Sequence, residues 1–495
     1  MRSILQTLAA CTILSACTLA PDYERPTLPV AEQWPTDAGA GETQAEARHV
    51  AEIPWKEFFP SPVLQGFIQQ ALEHNRDLRV ATLTIEQAQA AYRVQRADLF
   101  PKIRAQTNWS RTGTPENANP FNTGLPAGRI TQSTYQANLA ATSWEIDLFG
   151  RVRSLNDAAL EKYFATREAR DATQIALVAE VANAYLQWLA DVKALQFVND
   201  TLKAQESTYT LIEKSYKQGV RSKLELAQAR TTVEEARASQ AIYMRAVAQD
   251  KNALALLTGA ASADAITTSE TLNNVPIMKT LPVGLPASIL LSRPDIMQAE
   301  HALKAENANI GAARAAFFPS INLTAAFGFS STQLSNLFAS GSSRAWNFTP
   351  QASLPIFEGG QNFANLDSAK LGKQIAVANY EKAIQTAFRE VSDELAARQT
   401  LTQQVDAQTQ LVKAAKTAYD LSDARYKAGL DDYLTALDSQ RAFFSAQQNA
   451  IEAQRLQLAN FVNLYKVLGG GLAEQEPAPE DKQAEPALPV ATAKP

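Results

Sequence analysis

The sequence predicts a mixed α and β protein in which strands suited to a shared membrane barrel alternate with very long helices, the whole arranged as two internal repeats. Three observations carry this reading. Aromatic-rich runs of about ten residues alternate apolar and polar side chains and come in two pairs. Helical patterns run without a break from 151 to 218 and from 361 to 428, and each stops at a lone glycine, Gly219 or Gly429. The turns repeat: Ser215-Tyr216-Lys217-Gln218-Gly219 matches Arg425-Tyr426-Lys427-Ala428-Gly429, and a leucine follows each glycine five residues on, Leu224 and Leu434.

The chain opens with Met1-Arg2 and a mostly apolar stretch, Leu5 to Leu14, too short to span a bilayer, so residues 1–16 are expected to be a signal peptide. Leu14-Ser15-Ala16-Cys17 then resembles the bacterial lipoprotein box, which implies that Cys17 becomes the lipidated first residue. Thr18, rather than Asp, follows it and resembles an outer-membrane address. A plain signal peptide with an incidental cysteine is the alternative. Cys11 would be lost on cleavage, so the mature chain has no disulfide.

Residues 17–60 are rich in Pro, Ala, Glu and Thr and cannot bury a core, so they should form an extended strap. Trp34 and Trp55-Lys56-Glu57-Phe58-Phe59 are the expected pins. Repeat 1 (61–280) starts with Ser61 as N-cap and Pro62 in the first turn. His74-Asn75-Arg76 should break that helix, with Asp77 capping the next. Repeat 2 (281–471) restates the phrase with Arg293-Pro294-Asp295. The tail, 472–495, is Pro/Glu/Ala-rich and expected to be disordered.

Within each repeat a β-hairpin is expected, at about 102–148 and about 320–356. Ile103, Ala105, Thr107 and Trp109 share one face; Tyr135, Ala137 and Leu139 share another. In the second pair, Ile321, Leu323, Ala325, Phe327 and Phe329 alternate with polar or small residues, as do Trp346, Phe348, Pro350, Ala352 and Leu354. Each strand alone also fits a soluble sheet with one buried face. Four strands per chain, however, are too few to close a barrel, and lipid does not tolerate open edges, so chains would have to pool them; three chains give a barrel of about twelve.

A helix from Arg151 to Gly219 would be on the order of 100 Å long. Its Leu, Val, Ile and Tyr spacing and Ala-rich seam (Ala179, Ala182, Ala190) suit coiled-coil packing. Only glycine reverses the chain between such helices without steric cost. Net charge is −5 with no long like-charge block, which gives no reason to expect nucleic acid. Three scattered histidines offer no metal-ligand spacing, no cofactor is expected, and no nucleophile elbow or phosphate loop points to an enzyme.

Several motifs carry a family resemblance: Pro21-Asp22-Tyr23, Glu145-x-Asp147-Leu148-Phe149-Gly150-Arg151, Arg293-Pro294-Asp295, Asn309-Ile310-Gly311-Ala312-Ala313-Arg314 and Tyr465-Lys466-x-Leu468-Gly469-Gly470-Gly471. With the lipoprotein box, they make the chain similar to the bacterial outer-membrane efflux proteins, the TolC-like ducts, and within them to the lipoprotein branch typified by OprM. The resemblance implies a homotrimer whose barrel sits in the outer-membrane lipid. It also implies a periplasmic helical tunnel that meets a periplasmic adaptor and an inner-membrane resistance-nodulation-division pump.

Asp431, Leu434, Asp438 and Arg441 follow steps of three, four and three and share a helix face. Facing a threefold axis, Leu434 would form an apolar ring and Asp438 an acidic one. The resemblance places the closed end at these two residues. Asp431 and Arg441, with Tyr426 beside them, are candidates for polar ties between neighbouring helices, and the Gly219 and Gly429 turns for adaptor docking. The alternative is that these charges are only a solvated turn. Export of drugs or other small toxic molecules is the expected duty; protein secretion, metal efflux and a periplasmic coiled-coil adaptor are the competing readings.

Overall fold

The structure, a computed structural model, describes residues 18–34, 50–115, 130–263, 266–279, 287–339 and 343–472. The signal peptide, Cys17, the 116–129 loop and the tail from 473 lie outside the described residues. The main elements run α1 (Pro62–His74), α2 (Arg76–Arg96), β1 (Ile103–Thr114), β2 (Ile130–Ile146), α3 (Arg151–Lys217), α4 (Lys223–Thr258), α5 (Pro294–Ala315), β3 (Ser320–Ser331), β4 (Arg344–Ser353), α6 (Gln361–Lys427) and α7 (Tyr433–Val467). Two compact units draw on both repeats. One comprises Met1–Thr27, Thr84–Arg167 and Gln298–Glu381; the other comprises Leu28–Leu83, Glu168–Met297 and Lys382–Pro495.

The first unit holds one antiparallel sheet in the order β1-β2-β3-β4. Its register places Ile103 opposite Ala141, Trp109 opposite Tyr135, Leu139 opposite Phe327, and Phe327 opposite Trp346. Because side chains alternate faces, this alignment collects the apolar residues of all four strands on one side. Arg104, Gln106, Asn138, Asn322 and Asn347 fall on the other. Ile103, Trp109, Leu139, Phe327, Trp346 and Phe348 are all exposed. So wide an apolar patch marks a membrane or partner surface rather than a core. Trp109 stacks on Tyr135 at 6.2 Å toward one end of that face. Among the described residues, β1 and β4 each pair on one side only.

The strap is fastened along α5 in this unit. Thr18 and Ser154 share a hydroxyl hydrogen bond at 3.0 Å, Arg314 donates to the Leu19 carbonyl, and Asn307 donates to that of Pro21. Arg25 grips Glu300 through two bonds of 3.0 and 2.9 Å, and the Tyr23 hydroxyl adds a third. These donors hold the Glu300 carboxyl below its usual range although burial pushes the other way.

In the second unit the core gathers around Tyr465. It stacks on Phe58 at 4.0 Å, and its hydroxyl donates to the Ile53 carbonyl. Trp34 stacks on Phe388 at 4.8 Å and Trp55 is buried, so both aromatic pins of the strap are in place. Ala179, Ala182 and Ala190 are buried along α3, as a close-packed seam requires. Ser61 caps α1 as expected, accepting from Leu64 N. The next cap differs from expectation: Asn75, not Asp77, accepts from the Asp77 and Leu78 backbone. Its amide also donates to the Leu257 carbonyl, which makes it the better buried partner.

Arg293 is the polar anchor of this unit. Only 9% exposed, it donates to the Val467 carbonyl at the end of α7 and pairs with Asp295 and Glu390. Arg293→Met removes the charge-assisted donor to that carbonyl and leaves it buried. We expect a loss of about 3 kcal/mol, read as a lower denaturant midpoint with unchanged slope. A midpoint at the wild-type value would refute the anchor.

Candidate functional site at the two helical turns

Both long arms end in the same way. Gly219 and Gly429 take left-handed φ values of 75° and 77°. Val220 N donates to the Ser215 carbonyl and Leu430 N to that of Arg425, each at 2.9–3.0 Å, closing the six-residue loop typical of a glycine-terminated helix. Ser222 then starts α4 with a reciprocal cap to Glu225, and Asp432 starts α7 by accepting from Thr435 N. Nothing lies within 4 Å of a β-carbon built on either glycine, so both turns are open to solvent; Val220 and Leu430 project there, exposed.

Behind the turns, side chains from both hairpins share one buried cluster: Ile212 and Ala229 from the first, Tyr426, Tyr433, Ala436 and Leu437 from the second. The Arg221 guanidinium lies 4.6 Å above the Tyr426 ring while bonding Glu225 at 3.1 Å. Burial pushes the Tyr426 hydroxyl above its ordinary range, so the ring stays neutral under the cation.

Helix α7 therefore has two faces. Tyr433, Ala436 and Leu437 point into the cluster; Leu434, 47% exposed, and Asp438 and Arg441, also exposed, point away from it. The structure leaves Leu434 and Asp438 exposed on one face, whereas Arg441, exposed as well, reaches toward the first hairpin. It gives Asp431 a partner inside its own hairpin: Arg425 forks onto it at 2.6 and 2.8 Å, and those bonds hold the Asp431 carboxyl below its usual range. Tyr426 sits on the buried side, tied to Arg221. Arg441 reaches Glu235 at 3.5 Å across a cavity of about 270 Å³ that Thr232, Leu437 and Phe444 also line.

Arg221 and Arg425 were not singled out by sequence reasoning. The internal repeat held the signal, since Arg221 stands two residues past its glycine, where Asp431 stands past Gly429. Opposite charges at equivalent positions of a repeat mark sites where the two copies have diverged. Among the described residues no cluster of His, Cys, Asp and Glu could hold a metal. None of the described helices is long and apolar enough to cross a membrane.

Among the described residues, a four-stranded sheet with one apolar face and two edges left unpaired, in a chain that also carries two such helical hairpins, has the architecture of an outer-membrane channel component. The family model described as outer membrane efflux protein matches residues 67–260 and 285–470, and the chain belongs to that family. It is 50% identical over 475 residues to the toluene efflux pump outer membrane protein TtgC of Pseudomonas putida, covering 96% of each chain. It is 42% identical to the outer membrane protein OprJ of Pseudomonas aeruginosa, covering 93% of this chain and 94% of that one. Among solved structures, the open state of the MtrE outer membrane channel of Neisseria gonorrhoeae is similar, with a TM-score of 0.81 and 39% identity over 92% of this chain and 99% of that one. The protein is thus an outer-membrane efflux channel component that extends into the periplasm, not a periplasmic adaptor.

Proposed function

We propose that three copies of this chain build one duct through which an inner-membrane pump and a periplasmic adaptor expel drugs or other small toxic molecules. The observation that carries the trimer is the open sheet: its apolar face needs lipid, and lipid does not admit the free edges of β1 and β4. Three sheets joined edge to edge close a barrel of about twelve strands, within the range of known outer-membrane barrels. The named duties of TtgC and its relatives, toluene, solvent and antibiotic efflux, support the cargo class. The duct has no catalytic step of its own.

In this reading the free face of α7 looks down the axis, so Leu434 makes an apolar constriction and Asp438 an acidic ring. Arg221 over Tyr426 holds the two hairpins together, and the Arg425–Asp431 fork stiffens the second turn at the same level. The Gly219 and Gly429 turns, with Val220 and Leu430 at their tips, receive the adaptor, and the pump is of the resistance-nodulation-division class. Cys17 carries acyl chains that anchor the strap to the membrane, and residues 1–16 are removed. The two repeats, 61–280 and 281–471, each supply one β-hairpin and one helical hairpin.

One experiment tests assembly and anchor together. Mass spectrometry of the complex extracted in mild detergent is expected to give three copies, each beginning at residue 17 and carrying acyl groups on Cys17. A monomer would overturn the duct. An unacylated chain would overturn the anchor and leave the duct standing.

A further inference from the structure

In the sheet-bearing unit, β2 breaks its pairing at one place. The register shifts between Ala141 and Trp144, so Thr142 and Ser143 fall outside the ladder. Ser143 takes φ 51°, a left-handed conformation unusual for a residue with a β-carbon, and its N–H is taken by the Thr324 hydroxyl at 3.2 Å. The bulge re-aims Trp144, whose indole N–H donates to the Leu99 carbonyl at 3.3 Å. Strain of this kind persists only where the surroundings enforce it, and it gathers at ligand sites.

The bulge lines a cavity of about 350 Å³ whose walls include Asp98, Lys102, Ser143, Trp144, Glu145 and Arg151. Its charges cancel. Lys102 pairs with Asp98 at 2.6 Å, and Arg151 donates to Glu145 at 2.9 Å. Both ion pairs line the same cavity. Phe100, also on the wall, is 61% exposed, and Ile103, the first residue of the apolar face, is 71% exposed. A neutral cavity with separated charges of both signs, at the end of a lipid-suited face, has the polarity of the layer where headgroups meet hydrocarbon.

We infer that this cavity binds the zwitterionic phosphoethanolamine headgroup of a membrane phospholipid. The phosphate lies toward Lys102 and Arg151, the ammonium toward Asp98 and Glu145, and the acyl chains run over Phe100 and Ile103. The volume lies at the lower end of the range for small-ligand sites, about 300–1,000 Å³. Binding exchanges the Lys102–Asp98 and Arg151–Glu145 pairs for contacts to phosphate and ammonium, an exchange that an anionic headgroup, carrying no cation, leaves unbalanced. The inference rests on the reading that the apolar face sits in lipid.

The test uses the full chain, delipidated in mild detergent and offered phosphatidylethanolamine, phosphatidylglycerol or inorganic phosphate separately, with adducts read by native mass spectrometry. Wild type should retain phosphatidylethanolamine at activation energies that strip phosphatidylglycerol, and inorganic phosphate should leave no adduct. The doubly neutral variant Asp98→Asn with Lys102→Gln should retain about fivefold less, since two charge-assisted contacts are gone. Asp367→Asn with Lys370→Gln, which removes an exposed pair on α6, should match wild type. Circular dichroism confirms that each variant is folded. Equal retention by wild type and the Asp98/Lys102 variant, equal retention of both lipids, or a phosphate adduct would each overturn the site. Failure of the lipid-facing reading looks different: the protein would then stay in solution without detergent.

Discussion

Replacing Leu434 and Asp438 together by alanine is expected to raise single-channel conductance in planar bilayers about tenfold, the factor given by about 1.4 kcal/mol off the barrier to permeation. Both side chains lie on the free face of α7, away from the cluster that holds the hairpins together. Their removal should therefore widen the constriction without loosening the helices. The two residues act by different physics. In the proposed trimer, three leucines at one level would exclude water from a narrow bore, whereas three carboxylates would attract cations and repel anions. Asp438→Asn alone should then lower cation preference with little change in total conductance. Leu434→Ala alone should raise conductance and keep the preference. Conductance unchanged in the double variant would show that α7 does not line the narrowest point. The equivalent positions of the first hairpin, Leu224 and Gln228, add no charge to such a ring.

The second large effect is expected in the sheet. Gly328 of β3 lies opposite Asn138 of β2, and a β-carbon built there would fall 2.2 Å from the Ala137 carbonyl oxygen and 2.5 Å from the Asn138 α-carbon. These are backbone atoms and cannot swing aside, so Gly328→Val must push apart the strands that join the two repeats. Because β2 and β3 form the only link between the two β-hairpins among the described residues, we expect heat-resistant assembled protein in the outer-membrane fraction to fall about tenfold, as a defect of more than about 1.4 kcal/mol would require. Gly66→Ala on α1 is the matched control. Nothing lies within 4 Å of its built β-carbon, and alanine favours helix by about 0.5–1 kcal/mol. Wild-type assembly of the Gly328 variant would mean that the sheet closes by some other strand contact.

The sequence read most clearly where one local rule had no competitor. Period-two alternation located all four strands because each has one apolar and one polar face, and the register of the sheet then aligns those faces, with the bulge in β2 as a break and Arg344 opposite Phe329 as a charged exception. A lone glycine ended each long arm because no other residue reverses the chain at that point. Where long-range contacts decide, local reading fell short. Asn75 and Asp77 are equally good caps in isolation; the Leu257 carbonyl, 182 residues away, selects Asn75. The spacing alone offers Asp431 as a tie between neighbouring helices, and its fork with Arg425 is not visible there because it depends on how the turn closes. The stacking of Arg221 on Tyr426 joins residues far apart in the chain. The bulge at Thr142 and Ser143 had no glycine or proline to announce it. Glu300, which gathers the strap through Tyr23 and Arg25, reads in sequence as one more helix-surface acid.

Both outgoing arms, α3 and α6, contain 67 residues, and the returning arms, α4 and α7, contain 36 and 35. Equal rulers in the two repeats suit the pairing of both tips in the Tyr426 cluster. A four-residue insertion in one ruler alone would displace its tip by about 6 Å and pull that pairing out of register. Arm length is therefore a shared dimension of the two repeats: it can lengthen or shorten only through matched changes in both. A relative fitted to a wider or narrower periplasm should carry its insertions in pairs.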